Sequence, residues 1–386
     1  MTRAPAVTSV LWLNPLKYGS MEEYAVHLSR ALTQRGWRSI LVFSGPLAAT
    51  VSPHFEGSGA VIEVFEDAGT FKRYRSLVRI LRTYRPDIVH FHFFNVFTVL
   101  PILASLSRPR AIFFTDHVRE GEGISWKTKV QCLLWDRVVL RLLGTRVLAV
   151  SDHIKRTLVN KFKMAPGRVQ VLYNGVNLRR FQALDPDQAT SLRNELHLQS
   201  GQAVVICASN LRPEKGISDL LAAAKEVLAN KPDCIFLIVG DGSMADKLET
   251  EAEELGIERS VRFTGLRSDV DRLMGLADLV AVPSTCGEAA PFVVLEAMAS
   301  ARPTVATRVG GIPEFVEDGV TGILVSPQCP GELAHACLRL VDLPNEAAAM
   351  GRAGEGRVKA HFSIDRWVRD TVELYDNALR VRSLVP

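Results

Sequence analysis

The chain has 386 residues, 47% of them hydrophobic and 23% charged, with a net charge of +4. That length exceeds one comfortable core, so two domains are expected, and the composition excludes a disordered or fibrous chain. Mild basicity suits an anionic small molecule or an acidic membrane surface and is too weak to support nucleic-acid binding.

Short β-rich runs recur through the first half: "SVLWLN" (9–14), "RSILVF" (38–43), "AVIEVF" (60–65), "DIVHFH" (87–92), "AIFFT" (111–115), "RVLAVS" (146–151) and "RVQVL" (168–172). Stretches with helical spacing, such as 21–35 and 71–85, separate most of them. Strands alternating with helices predict a parallel sheet covered on both faces. The second half repeats the plan, with "AVVICAS" (203–209), "CIFLIVG" (234–240), "VRFTG" (261–265), "DLVAVPS" (278–284), "PTVAT" (303–307) and "TGILVS" (321–326). The turn signal Asn174-Gly175 and the polar run 182–202 set the boundary. The expected division is a domain over 1–173 and a second over 174–362, with a last helix, about 363–386, packing back onto the first.

Other classes fall away on local grounds. Six cysteines form no CxxC pair and there is no N-x-S/T sequon, so a reducing cytoplasm is expected. No leader-type apolar segment opens the chain. The apolar stretch 88–106 carries His90, His92, Asn95 and Pro101, so it reads as a buried strand and core helix rather than a membrane span. His90 and His92, alternating with Phe91 and Phe93, read as packing.

In doubly wound sheets, ligands bind beyond the carboxyl ends of the strands. Four motifs stand at such ends: "NPLKYGSMEE" (14–23), "TDH" (115–117), "SNLRPEKG" (209–216) and "STCGEAAPFVVLEAM" (284–298). The last frames a greasy turn with Glu288 and Glu296, with no lysine or arginine close by in sequence. The amides at the start of a helix over 292–300, around Phe292, Val293 and Val294, can receive a phosphate, and Pro291 suits the first turn of that helix. A carboxylate accepts two hydrogen bonds at once, so Glu296 suits a ribose diol. Arg212 and Lys215, three apart in a loop, can neutralise a diphosphate. By themselves these are solvated charges as readily as a site. The pair in "SDVDR" (268–272) reads as a helix N-cap rather than a metal motif.

The motifs "SNLRPEKGISDLLAA", "LIVGDGS", "VRFTGL" and "EAAPFVVLEAMASARPTVATRVGGIPEFVEDGVTGILV" resemble, in order and spacing, the retaining glycosyltransferases of family 4. "YGSMEEYAVHLSRAL", "RPDIVHFH" and "VLYNGVNLRRF" match the first half and linker of the same family, so the resemblance runs from about residue 10 to about 375. It implies the GT-B fold, two Rossmann-like domains facing across a cleft, with the acceptor on the first and the nucleotide sugar on the second. It implies that Glu288 faces the hexose hydroxyls, Glu296 the ribose, Arg212 and Lys215 the leaving diphosphate, and His117 the transferred sugar. Gly19 and Ser20 fall on the family's Gly-Gly turn, where only the first glycine is kept; Glu22 matches a family position, with a first-turn helix acid as the plain alternative. Ala289-Ala290-Pro291 stands where the family often has Gly-Phe-Gly, and Ala301 where it often has glycine, so the pocket shape and the sugar are expected to differ.

The reaction so implied is hexose transfer from a nucleoside-diphosphate sugar, with uridine the expected base, to an acceptor hydroxyl. Anomeric configuration is retained through a front-face path in which the leaving phosphate oxygen takes the acceptor proton. No metal or other cofactor is expected. A GT-B protein that binds nucleotide sugar without transfer, and a GT-B-type epimerase, are the alternatives; a phosphorylase is disfavoured because no lysine stands in a cofactor-anchoring motif. Acceptor candidates are a lipid-linked intermediate, another sugar or a small metabolite. Two basic stretches of the first half, 71–85 and 124–143, read first as helices with one core and one solvated face; the alternative is contact with anionic lipid on the cytoplasmic face of a membrane.

Overall fold

The computed structural model describes residues 4–11, 18–65, 69–117, 125–182 and 184–381. The chain divides into two compact units, Met1–Asn174 with Ile364–Pro386, and Gly175–Ser363.

The first unit is built on seven parallel strands: β1 (Ala6–Leu11), β2 (Arg38–Phe43), β3 (Ala60–Val64), β4 (Ile88–His92), β5 (Ala111–Asp116), β6 (Thr145–Ala149) and β7 (Val169–Val171). Their order is β3-β2-β1-β4-β5-β6-β7. The β-branched and aromatic runs read from sequence become these strands, since such side chains fit a pleated surface buried on both faces. β1 begins three residues before the pattern suggests, and residues 12–14 lie outside the described part, as do 15–17 of the first loop motif. All five residues of β4 are buried, so the two histidines do pack inward.

The helix Ser20–Gln34 lies against the sheet through Tyr24, Leu28 and Leu32, spaced by four and each no more than 1% exposed. The last helix, Ile364–Val381, answers with Trp367, Thr371 and Tyr375 at the same spacing. Tyr24 stacks on Trp367 with centroids 3.6 Å apart, and its hydroxyl meets Thr371 Oγ1 at 2.9 Å. Tyr375 Oη meets His90 Nδ1 at 2.5 Å, and His90 Nε2 meets Thr115 Oγ1 at 2.6 Å, so this buried imidazole is satisfied on both nitrogens.

The second unit holds six parallel strands: β8 (Val204–Ala208), β9 (Ile235–Val239), β10 (Val261–Gly265), β11 (Leu279–Val282), β12 (Thr304–Thr307) and β13 (Gly322–Val325), in the order β10-β9-β8-β11-β12-β13. Its core joins Val205, Phe236, Ile238 and Ala281 of the sheet to Leu220, Leu221 and Ala224 of the helix Ile217–Asn230 and to Leu333 and Cys337 of the helix Pro330–Asp342. Each fully buried aliphatic side chain there contributes about 1.5–3 kcal/mol of transfer free energy. In both sheets the strand order reverses once, between β1 and β4 and between β8 and β11. These are the switch points at which doubly wound sheets take ligands. Among the described residues no helix is long and apolar enough to cross a membrane.

Candidate active site

In the second unit, the chain leaves β8 through a loop that ends in a short 3-10 turn, Pro213–Lys215, and enters the next helix at Gly216. Gly216 has φ +65°, and a Cβ there would stand 2.1 Å from the Pro283 carbonyl oxygen. Only glycine fits both demands. That close approach lays the loop from β8 along the loop from β11, and Thr285 N–H donates to the Glu214 carbonyl at 3.0 Å.

The contact delivers Lys215 Nζ onto Glu288 Oε1 as an ion pair. Ser284 Oγ donates to the same oxygen at 2.6 Å. Glu288 is 7% exposed, so its charge is held by these partners rather than by water. Its main chain is fixed as well: Gly311 N–H donates to the Glu288 carbonyl at 2.7 Å, and a Cβ on Gly310 would fall 1.9 Å from that oxygen. Glu288 therefore has a cationic partner 73 positions away in sequence, which corrects the sequence impression of an acid without one. Lysine and acid belong to separate motifs, brought together where Gly216 approaches Pro283 and Thr285 bonds to Glu214.

Arg212, three residues before Lys215, is exposed and makes no side-chain hydrogen bond or ion pair among the described residues. It lines a depression of about 450 Å³ with Glu214, Asp219, Thr285 and Cys286. Burial, then the charge of Glu251, raises the Asp219 carboxyl above its ordinary value.

The helix Phe292–Ala299 follows. Pro291 is its N-cap, with φ −71° and ψ 119°, one place before the first turn in which the sequence put it. The Val294 N–H donates to the Pro291 carbonyl at 3.2 Å, so of the three amides assigned to a phosphate this one is already engaged in its own turn. Glu296 lies one turn further on and is partly buried. The helix ends in a Schellman motif: Ala301 N–H donates to the Met298 carbonyl at 3.0 Å and Arg302 N–H to that of Ala297 at 2.9 Å, with Ala301 at φ +53°. The "SDVDR" acids hold no cap either. Asp269 occupies the N-cap position of the helix Val270–Leu276 without a capping hydrogen bond, because Arg267 grips both of its carboxylate oxygens, at 2.8 and 2.7 Å.

In the first unit, Gly19 is the N-cap of the helix Ser20–Gln34, in an extended conformation with φ −133°. Ser20 is already helical, a conformation that needs no glycine. The Glu22 carboxylate turns back to accept the Gly19 N–H at 3.0 Å. Burial raises the Glu22 carboxyl, against the pull of the amides of Glu22 and Gly19.

His117 follows β5, its ring stacked on Phe93 with centroids 4.1 Å apart and 15° between planes. Its Nε2 is buried without a hydrogen-bond partner among the described residues. Burial lowers His117 to about 3, so the ring is neutral at physiological pH. His92, whose ring centroid is 6.1 Å away, lies well below its ordinary value for the same reason, and His90 stands at about 3 through burial and then the His117 charge. The sequence gives no sign of this three-histidine row, because its members come from two adjacent strands, His90 and His92 from β4 and His117 just after β5.

The chain matches the family profile described as "Glycosyltransferase Family 4" over residues 21–180 and that described as "Glycosyl transferases group 1" over residues 188–357. Among curated relatives, it is 33% identical to a GDP-mannose-dependent alpha-(1-6)-phosphatidylinositol monomannoside mannosyltransferase of Mycolicibacterium smegmatis, over 71% of this chain and 72% of that protein. It is 32% identical to a monoacylated-substrate counterpart from Corynebacterium glutamicum, over 63% of this chain and 65% of that one, and 33% identical to a D-inositol 3-phosphate glycosyltransferase of Segniliparus rotundus, over 64% and 57%. The chain thus spans somewhat less than two thirds of the length of these last two. Among solved structures, a Rickettsia africae glycosyltransferase superposes with a TM-score of 0.84 at 20% identity, covering 98% of this chain and 99% of that one. Anabaena HepE in complex with UDP and glucose gives 0.81 at 22% identity, covering 96% and 99%. The two Rossmann-like sheets are those of the GT-B fold, and the chain belongs to glycosyltransferase family 4.

Proposed function

We propose that the protein transfers a hexose from a nucleoside-diphosphate sugar to an acceptor hydroxyl, with retention at the anomeric carbon and without a divalent metal. The observation that carries this reading is the gathering of Arg212, Lys215, Ser284 and Glu288 beside the helix start at Phe292, at the switch point between β8 and β11. The second unit is the donor domain and the first the acceptor domain. The diphosphate meets Arg212, Lys215 and the first amides of the helix, where two cations and a helix N-terminus stabilise the charge that develops on the leaving group. A metal ion would compete with those cations.

Glu288 Oε1 is engaged by Lys215 and Ser284, which leaves its second oxygen for a hexose hydroxyl. A carboxylate neutralised in this way is a poor nucleophile, which favours the front-face path over a covalent intermediate. Glu296, on the helix, takes the ribose hydroxyls. His117, neutral, serves the sugar or the acceptor as a hydrogen-bonding group rather than as a proton carrier. Gly19, at the helix start after β1, takes the acceptor side of the donor phosphate. The relatives named as GDP-mannose-dependent favour a guanosine donor over uridine, and the phosphatidylinositol mannoside in their names favours a lipid-linked acceptor.

The test is turnover of GDP-mannose and UDP-glucose in excess EDTA, followed by NMR of the product's anomeric coupling. Undiminished activity and a retained anomer are expected. Activity lost to EDTA and restored by magnesium would overturn the metal-free site, and binding without any nucleoside diphosphate release would leave a nucleotide-sugar binder.

A further inference from the structure

At the amino ends of its strands, the second sheet borders a cavity of about 630 Å³ that the donor reading does not use. It lies where Ala203 enters β8, Asp278 enters β11 and Pro303 enters β12. The donor site belongs to the opposite, carboxyl edge. β11 and β12 are four residues long, so at about 3.3 Å per residue the two edges stand roughly 13 Å apart. Three arginines converge on the cavity from separate elements: Arg193 from the helix Pro186–Glu195, Arg302 from the turn after the helix Phe292–Ala299, and Arg352 from the helix Pro344–His361.

Among the described residues none of the three forms an ion pair. A guanidinium carries five N–H donors. Arg302 uses one, from Nη2 to the Gly275 carbonyl, and its Nε is buried with no partner among the described residues. Burial lowers the Arg302 guanidinium from its ordinary value, against the charge of Asp278. Arg193 holds the carbonyls of Gln199 and Gln202 with Nη2, at 2.9 and 2.7 Å, which fixes its arm and leaves its charge unmet. Arg352 is exposed and makes no side-chain hydrogen bond among the described residues. Asp278, on the same wall, accepts the Val204 N–H on Oδ2 at 2.7 Å, with Oδ1 left over. Leu340 and Ala347, both buried, make the facing wall apolar. Surface arginines alone would be solvated charges; a half-satisfied guanidinium inside a cavity is the exception that points to a ligand.

We infer that this cavity is a second binding site, for a small hydroxylated phosphate monoester of the sugar-phosphate kind. Its phosphate oxygens meet Arg302, Arg352 and Arg193, whose planar forks match a phosphate in paired hydrogen bonds. Asp278 Oδ1 accepts from a hydroxyl, and Leu340 and Ala347 cover the carbon skeleton. A bare phosphate ion would leave the apolar wall without a partner and be repelled by Asp278. The volume falls within the range of about 300–1,000 Å³ that small-molecule sites occupy. The inference goes beyond the donor reading and does not depend on it.

The experiment is calorimetric titration of the full chain with ribose 5-phosphate, inorganic phosphate and ribose, in saturating GDP and separately in saturating UDP so that the donor site is filled. One ribose 5-phosphate per chain is expected, bound about tenfold or more tighter than inorganic phosphate, with no heat from ribose. Arg352→Gln, at an exposed side chain without a partner to lose, weakens ribose 5-phosphate by about tenfold, the worth of one charge-assisted hydrogen bond. Arg302→Gln weakens it by about a hundredfold, because a paired contact is lost. Asp278→Asn narrows the preference for ribose 5-phosphate over inorganic phosphate, since it removes both the repulsion and the better hydroxyl acceptor. Absence of ribose 5-phosphate binding, or binding that survives both arginine substitutions, would overturn the inference. So would inorganic phosphate that binds the unaltered chain as tightly as ribose 5-phosphate. None of the substituted residues belongs to the donor loops, so nucleoside diphosphate binding persists in every variant if the donor reading is right. If no nucleoside diphosphate binds, the arginine variants still decide this site, and the two failures are told apart.

Discussion

Ala301 offers a stability prediction whose size follows from the backbone. It closes the helix that carries Glu296, in a left-handed conformation at φ +53°, with both hydrogen bonds of the Schellman motif already made. Ala301→Gly therefore removes no contact but the methyl group and creates no new bond. What changes is the left-handed penalty of a β-carbon, about 1–2 kcal/mol, offset by the extra freedom of glycine in the unfolded chain, about 0.4–1 kcal/mol. A net gain of about 0.5–1 kcal/mol follows, or roughly 1–4 °C in Tm for a unit of this size. The neighbouring carbonyl sets the control: a Cβ on Gly351 would stand 2.0 Å from the Ala301 oxygen, so Gly351→Ala must be destabilising at the same place. Urea unfolding of the full chain, followed by a probe in the second unit, measures both. A loss of stability in Ala301→Gly, or no change at all, would refute the strain argument.

Three more outcomes are expected. Glu296→Ala and Lys215→Ala each lower kcat/KM by about a hundredfold or more with the fold intact, and near-normal turnover in both would remove the site assignment. His117→Ala reduces turnover more than it reduces nucleoside diphosphate binding, measured by calorimetry; equal loss of both makes the ring structural. Acid destabilises the first unit: the folded-state values of His90 and His117 are lowered to about 3, so below about pH 6.5 the unfolded chain binds more protons. Stability is full above that pH and falls by about 1.4 kcal/mol per pH unit for each histidine as the pH drops toward 3. Urea midpoints at pH 7.5 and 5.5 check it, and equal midpoints would show that these rings are not held neutral.

The strands were legible because a parallel sheet buried on both faces needs continuous apolar β-branched runs, and few other elements produce them. The order of the sheets was not, since period and composition say nothing of which strands are neighbours. At the site, Arg212, Lys215, Glu288 and Glu296 stood out by their motif setting, but the Lys215–Glu288 pair depended on the Gly216 approach and could not be read along the chain. Asp269 was placed correctly at a helix start and its partner missed, because Arg267, two residues before it, competes with the backbone for the same carboxylate. The 124–143 segment was legible in part. Its periodicity was visible, but only solvent exposure tells which of its faces is the bare one.

The last helix makes the first unit a closed loop in sequence. Tyr24 and His90 find Trp367, Thr371 and Tyr375 only when residues 364–381 arrive, after the whole second unit has been made. On the ribosome the half that emerges first is thus the last to be finished, and it waits with a stacking face and a histidine uncovered while Gly175–Ser363 is synthesised. A chain cut at residue 363 would keep an intact second unit and an unfinished first one, so damage at the C-terminus is felt near residue 24.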